Sequence, residues 1–465
     1  MLNIKDLSRT GTIIFLFFIV CKPAISQDTL FVTLPEFLER GLSNSGQVAY
    51  ESGKVDLARN RVRTVKSQRI FPRLELNTQH GVVPGVESKR QDLGEGEYYL
   101  DPDLENDWNN WAVFTRAELS ATQPIYTWGA VSSAVKAAEA GAKSAQYEFS
   151  AVKAEARIQL FDLYYSYLLA IEISRILEDA NEQLNRVEKN INEMREEGNP
   201  DLKESDVFKF EIFKSEFVTR RVEVQQSLDY IKRVWDYALQ AEPGVVYMPA
   251  SNFLDPVPYE LQDYDYYRAN AVQERPELRG VEFGITALEK RLEAEKARQY
   301  PLFFFGITGS FANTPNRPRQ TNPFIRNNTN YGSVGVGFGI RQNLNILSMR
   351  ASVDKARIEY KRVNDLEKAV SDQIILDLNE RYREAAVAET RMKQTEEALV
   401  TARNWVRNEQ LNYDIGFGDV EDFLDAVQKE LELRVKLKQN VYDLNKKVAA
   451  LYKAGGLPIS QLNLK

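Results

Sequence analysis

Cysteine and histidine are almost absent from this chain of 465 residues, which contains one of each, Cys21 and His80. A single thiol cannot form an intrachain disulfide, and no metal site can be built from several cysteine or histidine ligands. The sequence also contains no glycine-rich phosphate loop. His80 lies in a predicted strand, where we expect it to be exposed or to face a lumen. These absences argue against an enzyme, and we expect no cofactor and no bound metal.

Long hydrophobic runs are missing as well. A membrane-spanning helix needs roughly 20 apolar residues, and the best candidate, residues 13–20, is too short. Lys5 and Arg9 precede this run, and Ala24-Ile25-Ser26 follows it. A basic start, a short apolar run and small residues are typical of a secretory signal peptide. We therefore predict a signal peptide over residues 1–26.

The export prediction bears on two further points. Bulky side chains, Phe18-Ile19-Val20, precede Cys21, which argues against a lipoprotein site because a small residue normally stands there. If the signal is removed, the mature chain has no thiol. The formal net charge of −7 and the predicted export give no support for a nucleic-acid partner.

Two stretches alternate between apolar and polar residues with the period of two that is typical of half-buried strands. The apolar positions are Trp111, Val113, Ala117, Leu119 and Ala121 in the first stretch, and Val334, Val336, Phe338 and Ile340 in the second. Each stretch leads into a long helical pattern. The two copies align without a gap, so that Gln123 matches Gln342 and Lys136 matches Lys355. The sequence therefore predicts an internal duplication.

Each half has a second predicted strand, which follows a proline that ends a helix. Leu74 and Leu76 follow Pro72, which ends a helix predicted from Pro35 to about Gln68, and Phe303 and Phe305 follow Pro301. Aromatic residues lie near both ends of the strands: Tyr98, Tyr99, Trp108, Trp111 and Tyr331 at the loop end, and Phe71, Tyr126, Trp128 and Tyr300 at the helix end. Strands of about 10 residues with aromatic ends are typical of a transmembrane β-barrel. A soluble sandwich is the alternative, but each half supplies only two strands.

Long helices form the rest of the repeat. No proline occurs between Ser132 and Met194, which predicts a helix on the order of 60 residues and 90 Å. A heptad pattern indicates helix-to-helix packing along it. Each long helix turns at a glycine-containing tip, Gly198 in the first half and Gly416 with Gly418 in the second, and then returns.

The chain therefore divides into a first repeat over residues 27–241 and a second over residues 276–465. Residues 242–275, which are rich in proline and tyrosine, are expected to form an irregular connector on the outside of the helices.

The second tip carries the most specific motif. Gly416 is followed, after five residues, by Asp422-Phe423-Leu424-Asp425-Ala426. This resembles the TolC-type outer-membrane efflux family (outer membrane factors), in which a glycine and five residues precede Asp-Val-Leu-Asp-Ala. Only Phe423 departs from that pattern. The resemblance extends over nearly the whole predicted mature chain.

The other junctions match less closely. The first tip has Gly198 and Asp206-Val207, with a spacing two residues longer than the family pattern. Pro124 matches the proline between strand and helix in the first repeat, and Asn343 replaces it in the second.

The resemblance implies a mixed α and β fold with two long helical hairpins that form a periplasmic α-barrel. Four amphipathic strands from each copy would contribute to a trimeric, 12-stranded barrel in the outer membrane. The implied function is a passive export conduit of a tripartite efflux or type I secretion system. The implied partners are two further copies of the chain, a periplasmic adaptor, an inner-membrane transporter reached through it, and outer-membrane lipid.

The resemblance also assigns roles at the tips. Asp422 and Asp425 would narrow the periplasmic entrance as a gate, with further charge from Asp414, Asp419 and Glu421. Gly198, Gly416 and Gly418 would contact the adaptor. The alternative for these acidic residues is a solvated helix N-terminus without a functional role. The alternative for the whole chain is a periplasmic adaptor with coiled-coil hairpins, against which the two pairs of amphipathic strands argue.

Overall fold

The computed structural model describes residues 28–94, 97–198, 202–319, 322–414 and 420–462. The predicted signal peptide, Gly416, Gly418 and Asp419 lie outside the described residues. The helices are α1 (Leu34–Asn44), α2 (Gly46–Ile70), α3 (Ala130–Glu196), α4 (Glu204–Leu239), α5 (Tyr264–Glu274), α6 (Pro276–Ala297), α7 (Ile346–Asp414) and α8 (Val420–Ala454). The strands are β1 (Asp28–Val32), β2 (Arg73–Glu87), β3 (Glu105–Tyr126), β4 (Val245–Pro249), β5 (Leu302–Asn313) and β6 (Tyr331–Arg341). The predicted mixture of strands with long helical hairpins is confirmed.

The four predicted strands form one antiparallel sheet in the order β2-β3-β5-β6. Its register places Leu76 beside Leu119 and Ile307 beside Val336, so the alternating apolar residues of the four strands lie on one face, whereas Phe114 and Phe304 lie on the other. That face is exposed in the single chain, with Val334 at 80% and Phe338 at 82%. Within the described residues, β2 and β6 each have one edge without a neighbouring strand.

His80 is exposed, which is one of the two positions expected for it. It lies on the apolar face, two residues from Val82 in the alternation of β2, and not on the polar face that a lumenal position would require. The reason is that the period of two assigns even-numbered positions of β2 to the apolar face. Its Nδ1 is 3.1 Å from Thr115 Oγ1 on β3.

The helices pack side by side around α3 and α7. Near the sheet, α2 and α6 pack against α3, and α6 also packs against α7. Farther from the sheet, α4 packs on α3, α3 on α8, and α8 on α7. None of the helices within the described residues is both long and apolar enough to cross a membrane.

An aromatic core ties the middle of the molecule together. Trp235 of α4 is fully buried and stacks on Phe37 of α1, with 4.2 Å between the ring centroids. Tyr164 and Tyr167 of α3 complete the cluster, and Trp235 Nε1 donates a hydrogen bond to the Leu163 carbonyl. Large buried aromatic surfaces of this kind stabilise the junction between the N-terminal segment and the long helices.

Two expectations about the middle layer need correction. The helix predicted from Pro35 to about Gln68 is divided at Ser45, whose side chain accepts a hydrogen bond from Val48 N and caps α2. The connector predicted to be irregular contains β4 and α5, and β4 pairs in parallel with β1. Because the partner strand lies more than 200 residues away, no local pattern indicates this pairing.

The connector is also bound to the long helices by buried polar groups. The fully buried Asn445 of α8 accepts a hydrogen bond from Val257 N at 2.8 Å and donates one to the Asp255 carbonyl at 2.9 Å. Glu172 of α3 accepts from Leu254 N at 3.2 Å. These hydrogen bonds satisfy backbone groups of the connector that are not paired in a sheet.

Candidate functional site at the helical tips

The start of α8 has one buried face and one exposed face. Leu424 is 7% exposed and packs into a cluster with residues of α3 and α4 that include Ile191 and Phe210. Asp422 and Asp425, three positions apart, are both exposed. Side chains at this spacing are neighbours on a helix surface, so burial of Leu424 presents the two carboxylates together to solvent. Among the described residues, neither carboxylate has a cation within ion-pair distance.

Lys209 of α4 forms an ion pair with Glu421 of α8 and thereby joins the two hairpins beside the candidate gate. The hydrogen bond to Glu421 raises the pKa of Lys209, and the charges of Asp425 and Asp206 act in the same direction. The sequence predicted that Glu421 adds negative charge to the tip. Because Lys209 pairs with it, its charge is compensated. Sequence reasoning missed Lys209 because its partner lies in the other repeat.

The acid of the first tip differs from those of the second. Asp206 is fully buried near the start of α4, where the helix dipole favours a carboxylate. Ser205 Oγ donates a hydrogen bond to its Oδ1 at 3.2 Å, and its Oδ2 has no hydrogen-bond partner in the described part of the chain. The structure thus brings Asp422 and Asp425 to the surface but keeps Asp206 inside. Within the described residues no cluster of three or more acidic, histidine or cysteine side chains is arranged to hold a metal ion.

Gly198 has a backbone requirement for glycine. Its φ is +66°, in the left-handed region that side chains disfavour, and its N–H donates to the Arg195 carbonyl at 3.2 Å. This conformation ends α3 and begins the turn. Among the described residues, an added Cβ would meet nothing within 4 Å. Because Gly416 and Gly418 lie outside the described residues, the adaptor role of all three glycines stays a prediction.

The opposite end of the long helices joins the sheet through aromatic contacts. Trp128 Nε1 donates a hydrogen bond to the Pro301 carbonyl at 2.8 Å, and the Trp128 ring lies 5.2 Å from that of Tyr300. This bond connects the segment that follows β3, in the first repeat, to the segment that precedes β5, in the second repeat. Pro124 lies within β3 at a register shift, where the missing N–H is tolerated.

A comparison with family models matches residues 268–457 to the outer membrane efflux protein family. These residues are therefore similar to that family. Comparison with solved structures extends the likeness to both repeats of this outer-membrane efflux fold. The structure of CusC has a TM-score of 0.72 at 14% identity, covering 92% of this chain and 94% of that chain. A sequence comparison with curated proteins gives no match.

Two further channels of the outer-membrane efflux fold agree. VceC from Vibrio cholerae has a TM-score of 0.70 at 14% identity, with 91% of this chain and 96% of that chain covered. The open state of MtrE from Neisseria gonorrhoeae has a TM-score of 0.68 at 14% identity, with 91% and 89% covered. At this identity the likeness establishes the fold. The resemblance to outer-membrane efflux channels is therefore confirmed, and the family is one of transport channels rather than enzymes.

Proposed function

We propose that the chain is one protomer of a homotrimeric outer-membrane channel through which an efflux or secretion system exports solutes passively. The observation that carries this proposal is the sheet: four strands with one apolar, exposed face and two open edges. In lipid, an open strand edge leaves backbone groups without hydrogen bonds, which is prohibitively costly. Strands from neighbouring copies would satisfy these edges and close a barrel.

The helical layer has matching edges. In the part of the layer farther from the sheet, α4 and α7 are the outermost helices. Both carry large apolar side chains that are exposed in the single chain: Phe208, Ile212, Val222, Tyr230 and Tyr237 on α4, and Leu376, Val400, Trp405 and Leu411 on α7. Single exposed apolar residues are ordinary, but rows of them on two edges favour burial against another chain. A head-to-tail ring in which α4 of one copy packs against α7 of the next would bury both rows.

The tips would form the gate. Three copies would place six carboxylates from Asp422 and Asp425 around one axis, where they attract cations and repel anions. Closing the ring costs like-charge repulsion, which the packing of Leu424 and the Lys209–Glu421 pair offset in part. We infer that a periplasmic adaptor, contacting the tips near Gly198, Gly416 and Gly418, shifts the balance toward opening. The inner-membrane transporter would act through that adaptor.

The same sheet disfavours the alternative, a periplasmic adaptor. An adaptor in water would leave the apolar side chains of Val334, Val336 and Phe338 exposed to solvent. Trimer formation and channel conductance test the choice. Detergent-extracted protein should migrate as a trimer that heating dissociates, and it should form conducting channels in planar bilayers. A lone monomer that stays soluble without detergent would overturn the proposal.

A matched pair of variants tests the assigned faces. Val336→Lys places a charge on the apolar face, where the cost near the bilayer midplane is about 2–4 kcal/mol, so trimer yield should fall sharply. Ser333→Lys places the same charge on the polar face of the same strand and should be tolerated. Equal yields for the two variants would contradict the assignment of the lipid-facing surface.

A further inference from the structure

The polar face of the sheet is unequal in its two halves. On β6 this face carries Ser333, Gly335, Gly337 and Gly339 and ends at Arg341. On β5 it carries Phe304, Gly306, Thr308 and Ser310. Arg341 is therefore the only charged residue that β5 and β6 present on this face. It is exposed, and no carboxylate of the described residues lies within ion-pair distance of it.

Arg341 is held by a support that the sequence pattern alone does not indicate. Phe304 lies directly opposite Gly339, and a Cβ added to Gly339 would come within 2.4 Å of Phe304 Cζ. The phenylalanine ring therefore lies across the glycine. The Arg341 guanidinium carbon is 5.1 Å from the centroid of that ring, within the range of a cation–π interaction.

A similar combination occurs once more on this face, with the arginine on the strand of the phenylalanine. Phe114 of β3 lies opposite Gly81 of β2, where an added Cβ would come within 2.5 Å of Phe114 Cε1. The Arg116 guanidinium carbon is 6.0 Å from the Phe114 ring centroid. The glycine, phenylalanine and arginine combination is thus built twice, once in each pair of strands.

The arginines differ in how their charge is compensated. Arg73, the third arginine on this face, pairs with Glu75 at 2.6 Å. Arg116 shares its strand and its face with Glu118, two residues away. Within the described residues of the single chain, Arg341 has neither kind of neighbour, so its charge acts on the space in front of the sheet. Because Arg341 ends β6, it lies where the barrel would meet the helices.

We propose that Arg341, supported by Phe304, is a charge-selecting residue of the conduit that favours solutes carrying carboxylate, phosphate or other anionic groups. This inference rests on the proposed trimeric channel, in which three copies of Arg341 form a ring at the helix end of the barrel. The ring has the opposite sign to the carboxylates at the tips. Once the tips open, the arginine ring still opposes cations and attracts anions.

The ion selectivity of the reconstituted channel tests the proposal. Reversal potentials are measured in planar bilayers under a potassium chloride gradient, in the background Asp422→Ala with Asp425→Ala so that the tip carboxylates do not dominate. Arg341→Gln should lower the chloride-to-potassium permeability ratio by roughly twofold or more at about 10 mM salt, where the screening length is about 30 Å. The change should shrink at about 1 M salt, where that length is about 3 Å.

Matched variants separate charge from structure. Arg341→Lys keeps the charge and should keep the ratio, whereas Arg326→Gln, which removes an exposed arginine from the loop between β5 and β6, should leave the ratio unchanged. Phe304→Leu should shift the ratio in the same direction as Arg341→Gln, because the guanidinium loses its support.

Two outcomes overturn different claims. A channel that conducts normally with an unchanged ratio in Arg341→Gln would overturn the selectivity role and leave the proposed function intact. A wild-type protein that forms trimers but never conducts would overturn the proposed function, and the selectivity role would fall with it.

Discussion

Lys209 and Glu421, from different repeats, form an ion pair that joins α4 to α8 beside Asp422 and Asp425. Both side chains remain partly exposed, at 51% and 39%. Exposed pairs contribute about 1 kcal/mol or less to stability, so this pair matters more for the arrangement of the tips than for folding. Among the polar contacts of the described residues that link the two hairpins, this ion pair lies closest to the candidate gate.

Reversing one charge of this pair should loosen the tips. We expect Lys209→Glu to increase the fraction of time that reconstituted channels stay open, because the introduced carboxylate would face Glu421 as a like charge. The unfolding midpoint in denaturant should hardly change. Combining it with Glu421→Lys restores opposite charges and should return the open fraction toward the wild-type value. If the double variant opens as often as the single one, the pair does not hold the tips.

Removing the tip carboxylates should widen the entrance. We expect Asp422→Ala with Asp425→Ala to raise single-channel conductance in planar bilayers, because the alanine side chains are smaller than the carboxylates and no longer hold cations at the axis. Glu396→Ala with Glu397→Ala removes two exposed carboxylates from α7, away from the tips, and should leave conductance unchanged. Unaltered conductance in the tip variant would count against the gate.

Two glycines of β6 should respond differently to the same substitution. Gly339→Ala puts a Cβ against the Phe304 ring and should destabilise the sheet by about 1–3 kcal/mol through overpacking. The Cβ added by Gly337→Ala meets nothing within 4 Å among the described residues, so this variant should be tolerated. The temperature at which heating dissociates the trimer measures the difference. Adding Phe304→Leu to Gly339→Ala should restore part of the loss.

The buried amide that binds the connector should be costly to remove. Asn445→Ala leaves Val257 N and the Asp255 carbonyl without partners, and each buried unsatisfied group costs about 1–3 kcal/mol. Asn379, on the exposed side of α7, donates a hydrogen bond to the Ile375 carbonyl of its own helix, so Asn379→Ala should change stability by less than about 0.5 kcal/mol. Denaturant unfolding compares the two. Equal small effects would mean that the connector is not held through Asn445.

The buried Arg275 should make stability depend on pH. Its guanidinium pairs with Glu277 at 2.9 Å and with Asp377 at 3.3 Å. Burial alone would raise the pKa of the Glu277 carboxyl, but the hydrogen bonds and charge of Arg275 outweigh it and hold that pKa below its ordinary value of 4.5. The stability that results is therefore complete well above pH 4.5 and is lost as the pH falls through the lowered pKa.

Arg275→Met should remove this dependence. We expect a loss on the order of 3 kcal/mol at neutral pH and a flatter decline of stability between about pH 5 and pH 3. Arg279→Met, which breaks an exposed pair with Glu282, should cost about 1 kcal/mol or less and keep the acid dependence. Parallel pH curves for wild type and Arg275→Met would contradict the role of this pair.

The sequence allowed the strands and long helices to be predicted because their signals are local and repeated. Val334 to Ile340 alternate without interruption, and the absence of proline fixes the extent of α3.

The missed features depend on contacts between distant segments. The pairing of β1 with β4, the Lys209–Glu421 bond and the burial of Asp206 each require knowledge of how the two repeats pack. The ring of Phe304 over Gly339 is similar, since the glycine-rich polar face of β6 becomes informative only when the register with β5 is known. The break at Ser45 was local, and the capping serine was the signal that could have revealed it.

The two open edges of the sheet make every copy dependent on its neighbours. If three copies form one barrel, as proposed, a defective copy that still assembles into the trimer but cannot close the barrel would inactivate the two intact copies. A harmful allele expressed with the wild-type gene should therefore be dominant, and the loss of transport should exceed the proportion of defective chains in the cell.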